Sequence, residues 1–545
     1  MKQKIKSVIL FIAILSIASV LRFTGLNWDG GNQLHPDERF IFMTTQALDF
    51  QNDMNPHFFA YGSFPLYLLK IVSTAAGKLH PQLVQYDMLH ITGRILSGLF
   101  DIGTLCCIYY LLHQLTKNKR TIYLGTLWYA ISVLPIQLSH FYAVDTLLTF
   151  FSCLTLFFTL RYYQHPSVRH ALGIGIAVGL ALATKISAAV LIVPIGITFL
   201  ITVSKNWKKA CLFGGIVGLA ALYTFFITEP YAFLDFATFK QQLLAQQAMT
   251  KSAFTFPYTL QYVGKIPYLY EFKNIVLWGQ GVFLGIVSIL GIIYGTKKAI
   301  QNKSIPAIIL LIFFWTYTAM VGRFAIGFMR YMLPIYPILT IFAVLLIQEC
   351  TQNMKPKKRM LIYGICTAII FFWTTTFMGI YTKPNTRVTA SSWMNENIPH
   401  GATIALEHWD DALPLRFASR YTVEELPLYN ADTTEKWIDI NTKLEKTDYI
   451  IIASNRLYTP LMNMTDCQRL PQGRCYTTTA AYYRKLFSGA LGFTEVATFT
   501  SFPTIPFTAI HIDDSAADES FTVYDHPKVM IFKKTTPYTP MLLKE

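Results

Sequence analysis

The feature that most constrains this chain is a series of apolar runs, each about 20 residues long, within its first 381 residues. A run of that length crosses the hydrocarbon core of a bilayer as a helix. The runs lie near residues 8–26, 91–113, 121–138, 146–163, 171–184, 186–203, 210–228, 274–295, 304–321, 331–349 and 360–381. They predict an α-helical polytopic membrane protein with about 11 transmembrane helices.

Charge supports this interpretation and orients the chain. Only 14% of the residues are charged, whereas soluble globular proteins average roughly 25%. A net charge of +15 would suggest a nucleic-acid partner for a soluble protein. Here 18 of the 30 Lys and Arg residues before position 382 lie at the N-terminus and in short loops after alternate runs, where they set membrane orientation. The pattern excludes nucleic-acid binding and predicts a cytoplasmic N-terminus in the plasma or inner membrane.

The first run is predicted to be a signal anchor, because it follows three lysines and shows no small-residue cleavage site. Two segments between the runs are long, a first outer loop at 27–90 and a second at 229–273. The apolar stretch 61–79 is predicted to lie on the outer leaflet or dip into it, because a further span there would invert the later basic loops. The loop 229–273 is either a gate for substrate or a surface helix with aromatic anchors.

Residues 382–545 have a different composition, with 16 Lys and Arg against 19 Asp and Glu. A helical pattern covers 390–397, and strand patterns cover 402–407, 448–453 and 529–533. An odd number of spans from a cytoplasmic N-terminus ends outside, so a membrane domain at 1–381 and an extracytoplasmic α/β domain at 382–545 are expected. Cys467 and Cys475 are a disulfide or two free thiols; the sequence leaves both open.

Three sets of charged residues carry possible chemistry. His35-Pro36-Asp37-Glu38 is either a general base with its partner or a solvated helix start. Asp145 follows a short outer loop that contains His140, and it is either a helix N-cap or a second functional carboxylate. Cations at the outer ends of spans are membrane anchors or phosphate ligands; they are Arg22, Arg94, Lys185, Arg323 and Arg330. No His or Cys pair has metal-ligand spacing, so no cofactor is required and a divalent metal is possible but not indicated.

In its order of motifs the chain resembles the GT-C membrane glycosyltransferases that use a phospholipid carrier, among them protein O-mannosyltransferases and aminoarabinose transferases. The resemblance rests on these segments: His35-Pro36-Asp37-Glu38, Tyr61-Gly62-Ser63-Phe64-Pro65-Leu66-Tyr67, Gly93-Arg94, Ser139-His140-Phe141-Tyr142-Ala143-Val144-Asp145, Ala183-Thr184-Lys185, Arg330-Tyr331-Met332-Leu333-Pro334 and residues 519–529. Gly62-Ser63 stands where the aminoarabinose transferases have a Glu-Lys pair, which departs from that specificity.

The resemblance implies an inverting transfer of a sugar from a polyprenyl phosphate to an acceptor hydroxyl on a protein, lipid or glycan at the outer membrane face. Asp37 would be the catalytic base, Glu38 its positioning partner and Asp145 the carboxylate of the second outer loop. Lys185, Arg330 and Tyr331, with Arg94 as a weaker candidate, would lie near the carrier phosphate. The remaining substrate-binding candidates are His35, Tyr61 and His140.

Two other classes of protein stay open at this point. A transporter or flippase for a lipid-linked or anionic substrate would use ionisable groups inside the membrane, chiefly Asp101 in the second span. Against it, the spans show no inverted repeat, and Asp101 is expected to pair with a neighbouring polar group. A scaffold that only presents the C-terminal domain would leave the first outer loop and the outer-face cations without a role.

Overall fold

The computed structural model describes residues 2–203, 206–416 and 418–541, which form two compact units. The first unit consists of 1–26, 35–247 and 266–378. The second consists of 27–34, 248–265 and 379–545. The second unit therefore begins three residues before the predicted boundary and also takes up parts of the two long outer loops.

The first unit is helical. Its helices are Lys2–Phe23, Pro36–Ala47, Phe64–Gly77, Leu89–Leu115, Lys119–Ala130, Val133–Ser139, Asp145–Gln164, Val168–Thr184, Ile192–Val203, Trp207–Thr228, Tyr231–Leu234, Leu269–Asn274, Val282–Gln301, Ile305–Val321, Tyr336–Thr351 and Pro356–Met378. The helix Phe236–Lys251 begins in this unit, and its residues from Ala248 onward belong to the second. Many helices of the first unit expose large apolar side chains along their length. Such helices suit a lipid surround, because they satisfy their backbone hydrogen bonds internally.

Within the described residues, eight helices are long and apolar enough to cross a membrane. There are nine if Lys119–Ala130 and Val133–Ser139, which are bent by 52°, form one broken span. Two apolar helices of 17 residues, Val168–Thr184 and Ile305–Val321, coincide with two further predicted spans. The protein is thus an integral membrane protein, and the number eleven stays a prediction.

The helix Phe64–Gly77 lies in the apolar stretch that was predicted not to span. It has 14 residues, a length of about 21 Å, whereas the hydrocarbon core is about 30 Å thick. Its length agrees with a helix that lies on the outer leaflet or dips into it.

Asp101, the carboxylate inside the second predicted span, is fully buried and paired. It accepts hydrogen bonds from Arg22 Nε at 2.6 Å and from the Tyr129 hydroxyl at 2.6 Å. The Arg22 guanidinium also donates to the Ala130 carbonyl at 2.8 Å. The expected polar partner of Asp101 is confirmed, and Arg22 links its own helix to Leu89–Leu115 and Lys119–Ala130.

The second unit is an α/β domain, as predicted. Its strands are β1 Thr403–Glu407, β2 Thr422–Leu426, β3 Tyr449–Ile452, β4 Phe493–Phe499 and β5 Val529–Lys534. They form one sheet in the order β2-β1-β3-β5-β4, in which β1 is parallel to β2 and β3, and β5 is antiparallel to β3 and β4. The three predicted strands are confirmed; β2 and β4 were missed.

Helices cover the sheet of the second unit and close its apolar core. They are Thr386–Asn397, Thr434–Lys446, Thr459–Asn463, Thr477–Phe487 and Glu519–Thr522. Trp437 and Tyr482 from two of these helices are buried with Ile450 and Phe532 of the sheet. Cys467 and Cys475 form a disulfide, which decides the alternative that the sequence left open.

Candidate active site

The helix Pro36–Ala47 begins with Pro36 and carries Asp37 and Glu38 in its first turn. Proline suits the first helical position, and acidic residues there complement the helix dipole. Successive residues of a helix point about 100° apart, so the two carboxylates face different surroundings. The Asp37 side chain is 19% exposed, whereas that of Glu38 is fully buried.

Glu38 forms a two-pronged ion pair with Arg94 of the helix Leu89–Leu115. Arg94 Nε and Nη2 donate to the two carboxylate oxygens at 2.9 and 2.7 Å. One of these oxygens also accepts the backbone N–H of Tyr142 at 2.9 Å, and Arg94 Nη1 donates to the Leu26 carbonyl at 2.7 Å. Glu38 and Arg94 therefore join the first outer loop to the helix Leu89–Leu115, to Tyr142 and to Leu26.

Asp145 is the first residue of the helix Asp145–Gln164, and Val144 before it is the N-cap. Of the two alternatives that the sequence left open for Asp145, the N-cap role does not apply, because Val144 occupies that position and no side-chain cap bond forms there. Val144 has φ +61°, a left-handed conformation that is a strained outlier for a β-branched residue. This turn aims the buried Asp145 carboxylate at Lys185, whose Nζ donates to it at 2.9 Å.

Lys185 lies between the helix Val168–Thr184 and the 3₁₀ helix Ile186–Leu191, in an extended conformation. Its ammonium group lies 4.3 Å from the centre of the Tyr331 ring, within the range of a cation–π contact. The small residues before it let other segments approach closely. Lys185 is thus held by one carboxylate and one aromatic face.

Arg330 lies in the 3₁₀ helix Met329–Ile335 and is the cation between the two outer-loop carboxylates. Its Nη1 is paired with Asp37 Oδ2, and its Nε lies 3.9 Å from Asp145 Oδ2. The rings of Phe328 and Tyr331 flank the guanidinium at 5.5 and 5.7 Å. The order Asp37, Arg330, Asp145, Lys185 is a chain of alternating charges contributed by four separate segments; we call these four residues the charge chain.

The histidine and tyrosine candidates occupy different places. The His35 ring is buried, with Nδ1 3.8 Å from Asp37 Oδ2 and its centre 4.8 Å from that of Phe141. The buried His140 ring contacts the carbonyls of Ile136 and Thr24, each at 2.8 Å. Tyr61 is half-buried and packs edge-on against Phe58. His35 is thus in contact with Asp37 of the charge chain.

Gly62, Ser63 and Glu229 form a second contact beside Lys185 that the sequence did not reveal. The Gly62 N–H donates to the Thr184 carbonyl at 3.1 Å. Ser63 donates to the buried Glu229 carboxylate through its N–H at 2.6 Å and its hydroxyl at 3.1 Å. Burial raises the pKa of Glu229 to about 8, although the bonds from Ser63 oppose that rise. Ser63 is 166 positions from Glu229, so no local pattern could have paired them.

Replacement of Gly62 by alanine is expected to displace this contact. A Cβ at Gly62 would lie 1.8 Å from the backbone carbonyl oxygen of Ala183, which cannot move without the helix end that precedes Lys185. We expect turnover to fall by about 10²-fold, because a shift of about 1 Å in a site costs that much. The measurement is the transfer rate of Gly62→Ala beside Gly218→Ala, a helical glycine with open space around it. Equal rates for the two variants would contradict the prediction.

Replacement of Glu38 by alanine is expected to destabilise the first unit. Loss of one partner leaves the Arg94 guanidinium buried without its carboxylate, which costs about 3–5 kcal/mol. The measurement is thermal unfolding in detergent micelles. The matched control is the double variant Glu38→Met, Arg94→Met, which removes both charges and should unfold nearer to the wild type. A single variant no less stable than the double variant would show that the ion pair is not what holds the loop.

Among the residues that the structure describes, no group of three or more His, Cys, Asp or Glu side chains is placed to hold a metal ion. The charge chain instead offers two cations and two carboxylates, with the aromatic ring of Tyr331 beside the cations. Such a set can bind an anion through the cations and accept a proton at a carboxylate.

A family profile described as dolichyl-phosphate-mannose-protein mannosyltransferase matches residues 89–228. No curated protein matches the sequence significantly. The apo oligosaccharyltransferase of Archaeoglobus fulgidus aligns with a TM-score of 0.54 at 13% identity, over 84% of this chain and 71% of that chain. The chain has the fold of the GT-C superfamily of membrane glycosyltransferases.

Two further solved structures are similar to this chain in fold. The same Archaeoglobus fulgidus enzyme in complex with zinc and sulfate gives a TM-score of 0.53 at 14% identity, over 92% of this chain and 74% of that chain. ArnT from Cupriavidus metallidurans in the apo state gives a TM-score of 0.46 at 15% identity, over 84% of this chain and 95% of that chain. The predicted resemblance to the GT-C superfamily and the predicted fold class are confirmed.

Proposed function

We propose that this protein is an inverting glycosyltransferase that moves a sugar from a polyprenyl-phosphate carrier to an acceptor hydroxyl at the outer face of the membrane. The observation that carries the proposal is the charge chain, which brings Asp37, Asp145, Lys185 and Arg330 together from four segments. The matching family profile, whose description includes a dolichyl-phosphate-linked sugar, supports a lipid-phosphate donor. In this proposal the N-terminus is cytoplasmic and residues 382–545 are extracytoplasmic.

The carrier phosphate binds Arg330 and Lys185. A guanidinium offers two parallel N–H groups to phosphate oxygens, and an ammonium group acts as a point charge. In the structure both cations pair with carboxylates. When the carrier phosphate binds, it therefore replaces Asp37 as the partner of Arg330. Asp145 stays with Lys185 and orients its ammonium group. The Tyr331 ring lies beside both cations and limits where the phosphate can sit.

Asp37 then accepts the proton of the acceptor hydroxyl. It is the more exposed carboxylate of the charge chain, since the Asp145 side chain is only 2% exposed. As the proton moves to Asp37, the acceptor oxygen bonds to the anomeric carbon from the face opposite the phosphate. The bond from that carbon to the phosphate oxygen breaks, and its electron pair leaves with the phosphate. Arg330 and Lys185 stabilise the charge that develops there, and the configuration at the anomeric carbon inverts.

The pair Glu38 and Arg94 has a positioning role in this scheme. It fixes the first turn of Pro36–Ala47, and therefore Asp37, relative to the helix Leu89–Leu115. The rival transport function depended on Asp101 as part of an ion pathway. The Asp101 carboxylate is fully buried and accepts hydrogen bonds from Arg22 and Tyr129. A structural role in linking helices therefore explains this carboxylate without an ion pathway.

The experiment supplies purified protein in proteoliposomes with a set of polyprenyl-phosphate sugars, hexoses and pentoses included, and with protein, lipid and glycan acceptors. The anomeric configuration of the product is read by NMR. We expect one donor to be consumed, with polyprenyl phosphate released and the configuration inverted. Movement of a labelled lipid across the membrane without sugar transfer would establish the transport alternative, and a retained configuration would refute single-step displacement.

A further inference from the structure

A hairpin with an uncharged, apolar tip projects from the second unit at residues 502–512. Thr504 and His511 form an antiparallel bridge, and Ile505 and Ile512 donate their N–H groups to the carbonyls of Ile510 and Pro503, each at 2.9 Å. Thr508 donates to the Ile505 carbonyl through both its N–H and its hydroxyl. These bonds define the shape of the turn, so its exposed residues are presented by an ordered loop.

The tip consists of Ile505-Pro506-Phe507-Thr508-Ala509-Ile510. The Phe507 side chain is fully exposed and Ile510 is 60% exposed. Phe507 has φ +62°, an uncommon conformation for a bulky residue, and it keeps the ring outside the loop. Phe507 and Ile510 together give the tip a small apolar patch that the rest of the chain leaves exposed.

The base of the hairpin lies beside the residues that follow the helix Pro356–Met378. Gly379 comes directly after the helix Pro356–Met378, and a Cβ on it would lie 3.5 Å from the Thr504 carbonyl oxygen. Lys383 Nζ donates to the Thr504 hydroxyl at 3.2 Å. Phe507 in the tip is three residues from Thr504, a span of at most about 10 Å. The headgroup region is roughly 5–8 Å deep on each side of the bilayer, so a segment of this length is long enough to cross it.

We propose that the tip 505–510 inserts into the outer leaflet and anchors the second unit to the membrane surface. The chemistry fits this one partner: an aromatic and an aliphatic side chain enter the acyl boundary, while Lys383 at the base meets lipid phosphates. The base of the hairpin adjoins the residues that come directly after the helix Pro356–Met378 in the chain. This inference does not depend on the proposed transfer reaction.

The test places the photoreactive amino acid p-benzoyl-phenylalanine at position 507 of the full chain, in nanodiscs of phosphatidylethanolamine and phosphatidylglycerol. After irradiation and proteolysis, mass spectrometry identifies what the peptide carrying position 507 has captured. We expect a lipid adduct. A second variant with the probe at position 510 gives an independent reading if the first fails to fold, which size-exclusion chromatography reports.

Two control positions make either outcome decisive. Leu219, exposed on the predicted span Trp207–Thr228, should capture lipid. Ile438 is exposed on Thr434–Lys446 among charged residues and should not. Lipid capture at 507 or 510 at a yield within about threefold of position 219 supports the anchor. A yield no higher than at position 438, or capture only of protein from the same or a second copy, overturns it.

Discussion

Replacement of Asp37 by asparagine is expected to lower turnover by about 10²–10⁴-fold, the range that a positioned general base contributes. Asparagine keeps the shape of the side chain and an oxygen that can still accept from Arg330, so the site should stay assembled. It cannot take the proton of the acceptor hydroxyl. The affinity for the donor should therefore change by no more than a few-fold, and the loss should fall on the chemical step.

Asp49→Asn is the matched control for this variant. Asp49 belongs to the same outer loop, but it is exposed, and its carboxylate accepts hydrogen bonds from the Gln51 N–H and the Asn52 side chain nearby. Its replacement should leave turnover close to that of the wild type. Initial rates and donor binding are measured on the same proteoliposomes. Equal activity of the two variants would remove Asp37 from the reaction.

Replacement of Arg330 by alanine is expected to weaken both donor binding and the chemical step. The variant loses the guanidinium between Asp37 and Asp145 and leaves Lys185 as the remaining cation of the charge chain. Loss of one group that stabilises the leaving charge lowers the rate by about 10²–10³-fold. The affinity for polyprenyl phosphate without sugar should fall as well, which distinguishes this variant from Asp37→Asn.

Arg323 supplies the control, because it lies in the same loop and is exposed. Arg323→Ala should change affinity by less than about threefold, as expected for a solvated charge. Arg330→Lys keeps the charge without the planar fork and should be intermediate. Binding of polyprenyl phosphate and the melting temperature are measured for all three. Unchanged binding by a folded Arg330→Ala protein would show that the phosphate lies elsewhere.

The sequence predicted those parts of the fold that local patterns specify. Runs of apolar residues marked the membrane helices, and Ala402 to Glu407 marked a buried strand by its continuous hydrophobicity. The strand β2, with the sequence Thr-Val-Glu-Glu-Leu, was missed because it is largely exposed and carries two glutamates. An edge strand of this kind has no apolar alternation to reveal it.

Sequence reasoning selected the residues of the charge chain as candidates, but it did not predict all of the contacts around them. The resemblance selected Asp37, Asp145, Lys185 and Arg330, and the structure brings these four together. It did not indicate that Arg94 pairs with Glu38, which is 56 positions away. Charge alone cannot distinguish a cation that faces a phosphate from one that is neutralised inside the protein. That distinction is made by tertiary packing.

The most direct test of the account counts polyprenyl phosphate released per protein molecule when wild-type and Asp37→Asn proteins are both saturated with a radiolabelled polyprenyl-phosphate sugar and acceptor. Bound donor is counted in the same vesicles. The account predicts repeated turnover by the wild type, and equal donor occupancy without appreciable release by the variant. Equal release by the two proteins, or no release by the wild type from any donor, would contradict it.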